Sequence, residues 1–162
     1  MQIRIGNRQD QKRINPLVET VCGEFGRKFD LEQADQDLKN IERRYFGKDG
    51  IFLVVEEEKQ IVGLGGALRE DGDKFVLKRI CLEKPWRRKG IGRQMMKIVL
   101  THAQLLGFES VELGDDPFQA TNAKSALTSA EDAGKFFAAC GFPKIEKATA
   151  GHLGFAPYVF TQ

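Results

Sequence analysis

No stretch of this 162-residue chain approaches the roughly 20 consecutive apolar residues that cross a bilayer. The polar start Met1-Gln2-Ile3-Arg4 also lacks the apolar segment of a secretory leader. Both absences predict a cytoplasmic protein with no membrane partner. Charge of one sign is scarce as well: 25 Lys plus Arg stand against 23 Asp plus Glu, a formal net charge of +2. That balance excludes the global field that gathers nucleic acid, so any anion site must be local. Cysteine is limited to Cys22, Cys81 and Cys140, too few and too dispersed for a disulfide framework or a four-ligand zinc site. No metal is expected, and a reducing compartment is. The 5 prolines and 17 glycines point to ordered turns rather than linkers. With 41% hydrophobic residues the chain suits one core, hence a single domain over residues 1–162.

Along the chain, Gln2 to Ile5 reads as an edge strand, and Asn15-Pro16 announces a helix to about Gly26 with Leu17, Val21 and Phe25 facing the core. The spacing of Leu38, Ile41 and Tyr45 predicts a second helix over 32–46, ended by Gly47. Ile51 to Val55, Ile61 to Leu68 and Phe75 to Leu82 are apolar runs separated by polar turns, the pattern of an antiparallel meander. From Gly90 the period turns helical, with Ile91, Met95, Val99, Ala103 and Leu106 on one face. Ser110 to Leu113 is then a buried strand. Strand, helix, strand in that order implies a right-handed crossover and two parallel neighbours. Gly114 to Thr128 is a long polar loop, of a length that is more often functional than filler. A capped helix follows from Ser129, carrying Phe136, Phe137 and Cys140 and stopped by Gly141. Two last strands, near Lys144 to Ala148 and Pro157 to Thr161, complete an α/β fold with a mixed, mostly antiparallel sheet flanked by helices.

The chemistry-bearing feature is Arg87-Arg88-Lys89-Gly90-Ile91-Gly92-Arg93, between a buried strand and an amphipathic helix. Its glycines let a ligand approach backbone, the first helical turn leaves N–H donors unpaired, and the helix dipole favours an anion. Four cationic side chains surround those donors, an arrangement that suits a pyrophosphate. The same residues also fit a solvated charge run at an ordinary turn. A dinucleotide fingerprint does not compete, because Met95 stands where its third glycine belongs, and no Gly-Lys-Ser/Thr occurs.

Arg87, Gly90 and Gly92 match the motif Gln/Arg-x-x-Gly-x-Gly/Ala, and here the sequence resembles the GNAT superfamily of acyl-CoA-dependent N-acetyltransferases. Leu77-Lys78-Arg79-Ile80-Cys81-Leu82 looks like that family's fourth strand, and Phe136-Phe137-x-x-x-Gly141-Phe142 resembles its closing helix. The resemblance implies acetyl-CoA as acyl donor, with backbone groups of Ile80, Cys81 and Leu82 on the pantetheine arm. The pyrophosphate would lie on Arg87, Arg88, Lys89, Gly90, Ile91, Gly92 and Arg93. It further implies a central parallel strand pair that splays to admit the thioester, and direct attack by an amine in a ternary complex. The amine would enter between the first two helices and the C-terminal strands.

Two positions depart from the family: Val76 stands where its histone acetyltransferases carry a glutamate base, and Phe137 where a tyrosine often protonates the thiolate. Neither can move a proton. Candidate bases are His152, in Gly151-His152-Leu153-Gly154, and the Asp115/Asp116 pair, although a loop imidazole and a loop cap account for them equally. His102, mid-helix, and Cys140 read as packing residues, and Trp86 as a lid over core. The acceptor, a small or peptide amine, is read by loops that carry no portable code. A non-catalytic acyl-CoA-binding regulatory or sensor domain is the alternative function. An exposed edge strand near either terminus offers a surface for pairing two copies.

Overall fold

The computed structural model describes residues 1–24, 26–71, 74–108, 110–113, 139–140 and 159–161. Among them six strands form one sheet in chain order: β1 (Gln2–Ile5), β2 (Ile51–Glu57), β3 (Gln60–Glu70), β4 (Lys74–Leu82), β5 (Ser110–Leu113) and β6 (Val159–Thr161). All neighbours are antiparallel except β4 and β5, which run parallel. Helix α3 (Ile91–Leu105) provides the crossover between those two. Helices α1 (Asn15–Glu24) and α2 (Ile41–Tyr45) precede the meander.

Strict alternation along β2 splits the core in two. Leu53 and Val55 pack with Ile91, Met95, Met96 and Val99 of α3, whereas Phe52 and Val54 pack with Leu17, Val21, Ile41 and Tyr45 from α1 and α2. Each such side chain contributes roughly 1.5–3 kcal/mol through burial, so the sheet is held from both faces. On α3 the apolar stripe differs from expectation at its end: Met96 is buried, while Leu106 caps the helix and is 39% exposed. Phe25 and the expected elements over 114–138 and 144–148 lie outside the described residues.

The expected second helix is not continuous. Residues 31–35 are turns, Gln36–Leu38 is a 3₁₀ turn, and α2 starts afresh at Ile41, followed by another 3₁₀ turn, Phe46–Lys48. The break is held by long-range partners. Gln11 spans it, its amide donating to Leu38 O and accepting from Ile41 N–H, and Asn40, in extended conformation, accepts from Arg43 N–H at 2.9 Å. Side chains thus satisfy groups that a continuous helix would pair internally. No helix among the described residues is long and apolar enough to cross a membrane.

Candidate functional site

The site is organised by an irregularity in β4. Its register with β3 runs Ala67↔Leu77 and then Gly66↔Arg79, so Lys78 is an extra residue, a β-bulge. The side-chain pattern follows: Phe75 and Leu77 face the α3 core, and after the bulge Ile80 and Leu82 do so. Among the described residues the parallel register with β5 covers Phe75↔Val111, Val76↔Glu112 and Leu77↔Leu113. From Lys78 to Leu82, among the described residues, β4 is paired only on its β3 side.

The β4 edge away from β3 presents specific backbone groups. Glu83 N–H donates to Val62 O at 2.9 Å, which sets the phase of the antiparallel ladder. By its alternation Cys81 bonds across to Leu64, while the N–H and C=O of Ile80 and Leu82 turn away from β3. Of the three strand residues expected to hold a pantetheine arm, Ile80 and Leu82 thus direct backbone groups away from β3, the Leu82 carbonyl accepting from Arg87 Nε. Cys81 contributes a buried side chain to the α1 and α2 core instead.

Past Leu82, a 3₁₀ turn (Lys84–Trp86) leads through extended Arg87 and left-handed Arg88 (φ 60°) to Gly90, the N-cap of α3 at φ 80°. A side chain rarely adopts that last conformation, and the space where a Cβ would stand is open, with nothing within 4 Å. Ile91, buried in the α3 core, fixes the helix start, so the first-turn N–H groups of Ile91, Gly92 and Arg93 lack intrahelical acceptors at a set place. Arg88, Lys89 and Arg93 are exposed around them, Lys89 Nζ lying 4.9 Å from the Trp86 ring centroid. Arg87 differs from its neighbours: its Nε donates to Leu82 O and its Nη1 to Glu24 Oε2, each at 2.7 Å. Cys140, half-buried against the α3 core, has its thiol pushed up by burial, partly offset by the Arg93 charge, and is a packing residue. His102 is one too, its Nε2 3.1 Å from Asp49 O and its ring against Phe75.

On the opposite face of the sheet lies a cluster that the sequence reading missed. Arg79 is 3% exposed. Its Nε and Nη2 hold both oxygens of Asp37, at 2.7 and 2.5 Å, and its Nη1 reaches Asp35 Oδ1 at 3.0 Å. Arg27 grips Asp35 from the other side, and Tyr45 Oη donates to Asp37 at 2.6 Å. Tyr45 can lie there because β3 has glycine at 66, where a Cβ would stand 2.4 Å from the ring. Burial alone raises the Asp35 carboxyl, but hydrogen bonds from Arg27 and from Asp30 N–H, with the Arg79 charge, hold it below the usual carboxylate range. Two cations and two anions thereby tie residues 26–40 to β4. The signal for this was an arginine inside an apolar strand, since a buried guanidinium requires partners.

Val76, on that same face, is buried at 5% exposure and offers no proton acceptor. The three candidate bases, His152, Asp115 and Asp116, and also Phe137, lie outside the described residues.

A parallel strand pair beside a glycine-capped, cation-ringed helix start agrees with the comparisons. Residues 48–144, more than half of the chain, match the family model described as an acetyltransferase (GNAT) domain. Human N-acetyltransferase 8 is 32% identical over an alignment of 89 residues that covers 51% of this chain and 39% of that protein, so the chain spans about two fifths of that relative's length. A GNAT-family acetyltransferase of Staphylococcus aureus superimposes with a TM-score of 0.75 at 23% identity, covering 99% of this chain and 98% of that one. The PaiA N-acetyltransferase of Thermoplasma acidophilum, solved in complex with coenzyme A, does so at 0.68 and 13%, again over 99% and 98%. On the family match and on the architecture together, this chain belongs to the GNAT family of acetyltransferases.

Proposed function

We propose that the chain transfers an acetyl group from acetyl-CoA to an amine, by direct attack within a ternary complex. The observation that carries this reading is the start of α3 at left-handed Gly90, open where a Cβ would stand and ringed by exposed Arg88, Lys89 and Arg93. The residues fit the donor. Backbone groups of Ile80 and Leu82 suit the amides of a pantetheine arm, and the N–H groups of Arg88 to Arg93 suit a pyrophosphate, with open space at Gly90 for its approach. The relatives, among them an N-acetyltransferase and a protein solved in complex with coenzyme A, favour the same assignment.

Acetyl-CoA supplies an acyl thioester whose thiol, of pKa about 8.5, leaves without a strong acid. The protein must orient the amine and take its proton. Val76 cannot accept it, and a lysine-like amine of pKa about 10.4 is mostly protonated near neutrality. The acceptor is therefore an amine of lower pKa, an α-amino group at about 7.7–8.0 or an aromatic amine, with His152, Asp115 or Asp116 as the base. The buried apolar Val76 also favours a second reading, a CoA-binding regulatory module without turnover. Thiol release measured over a panel of amines separates the two. Release with at least one low-pKa amine supports the enzyme, and tight acetyl-CoA binding without release from any amine supports the module.

A further inference from the structure

We propose that Glu24, outside the family motif, is a positioning residue for the acyl-donor loop and acts through Arg87. Glu24 is the last residue of α1, where the helix dipole disfavours an anion, and no basic residue in that turn compensates it. Its carboxylate instead accepts from Arg87 Nη1 across 63 residues of sequence. The Arg87 and Glu24 side chains are 16% and 23% exposed. The same guanidinium donates through Nε to Leu82 O, and the Arg87 N–H bonds Lys84 O. One side chain thus ties the end of α1 and the end of β4 to the turn that precedes Arg88 and Gly90.

The loop needs such support. Arg88 and Gly90 are both left-handed, and for arginine that conformation costs free energy and persists only where its surroundings fix it. Held this way, the N–H groups from Arg88 to Arg93 face an anion before it arrives, and less ordering is lost on binding. The opposite arrangement is also chemically sound: Arg87 could leave Glu24 and contact a phosphate itself, which would make Glu24 a competitor. The two arrangements predict opposite signs for the loss of Glu24.

The inference rests on the acyl-donor reading above, and calorimetric titration of acetyl-CoA into the full chain separates the two. Glu24→Ala should weaken acetyl-CoA binding about tenfold, the worth of one charge-assisted bond. Glu24→Gln, which keeps an acceptor, should fall between Glu24→Ala and wild type. In turnover the loss should appear in the KM for acetyl-CoA with kcat kept within about twofold, because the uniform binding of the donor is what changes. Glu24→Ala/Arg87→Ala should bind no more weakly than Arg87→Ala alone. Unchanged or tighter binding by Glu24→Ala overturns the inference while leaving the acyl-donor site standing, and should that variant misfold, Glu24→Gln gives the same sign. Wild-type chain that fails to bind acetyl-CoA overturns both.

Discussion

Replacing Arg79 with methionine removes the centre of the buried ionic cluster while keeping most of the volume of its stem. Asp37 then loses two of its three side-chain donors and keeps Tyr45, and Asp35 loses one guanidinium and keeps Arg27. Breaking a buried ion pair from one side costs about 3–5 kcal/mol because a charge is left uncompensated. The remaining partners of both carboxylates favour the lower end, about 3 kcal/mol, or a fall in Tm of roughly 6–12 °C for a chain of this size. Urea unfolding of Arg79→Met and wild type measures it, with Lys39→Met as control. Lys39 and Glu32 form an exposed pair, 57% and 76% accessible, worth at most about 1 kcal/mol. The acid side carries a second signature. Asp35 titrates below its unfolded value, so its stabilisation is present at neutral pH and is lost as pH falls through the carboxylate range. Arg79→Met should flatten that loss without abolishing it, since Arg27 stays. A cost below about 1 kcal/mol, equal to the Lys39 control, would refute the view that this cluster anchors residues 26–40 to β4.

Acetyl-CoA should raise the Tm of the wild-type chain by mass action, and Gly90→Asp should abolish that rise. Because a Cβ at Gly90 meets nothing, Gly90→Ala isolates the strain of the left-handed backbone, and its rise should be partly kept. An intact rise in Gly90→Asp would remove the loop from the donor site. For the proton, at least one of His152→Ala, Asp115→Ala and Asp116→Ala should lower the rate and shift its pH profile toward the acceptor amine's own pKa. Wild-type profiles in all three would exclude these bases.

Local signals made much of this molecule legible in the sequence. The meander strands follow from apolar runs between polar turns, α3 from a period of 3.6, and the loop from Arg87 to Arg93 from glycines and cations ahead of an amphipathic helix. Features set by distant partners were not legible. The second helix breaks because Gln11, some thirty residues away, satisfies both sides of the gap. The bulge at Lys78 decides that Arg79 faces Asp35 and Asp37, and nothing local distinguishes it from regular strand. Arg87, grouped by sequence with the cations around a pyrophosphate, is engaged by Leu82 and Glu24, a contact visible only once α1 and the loop share space.

The most direct test of acetyl transfer is mass spectrometry of acceptor amines after incubation with acetyl-CoA labelled in the acetyl group. An α-amino or aromatic amine should gain the labelled acetyl group in proportion to the thiol released, at a rate that follows its neutral fraction as pH rises. Absence of label from every amine, with acetyl-CoA bound and intact, would contradict the proposed transfer; labelling confined to lysine-like amines would keep the transfer and contradict the low-pKa acceptor.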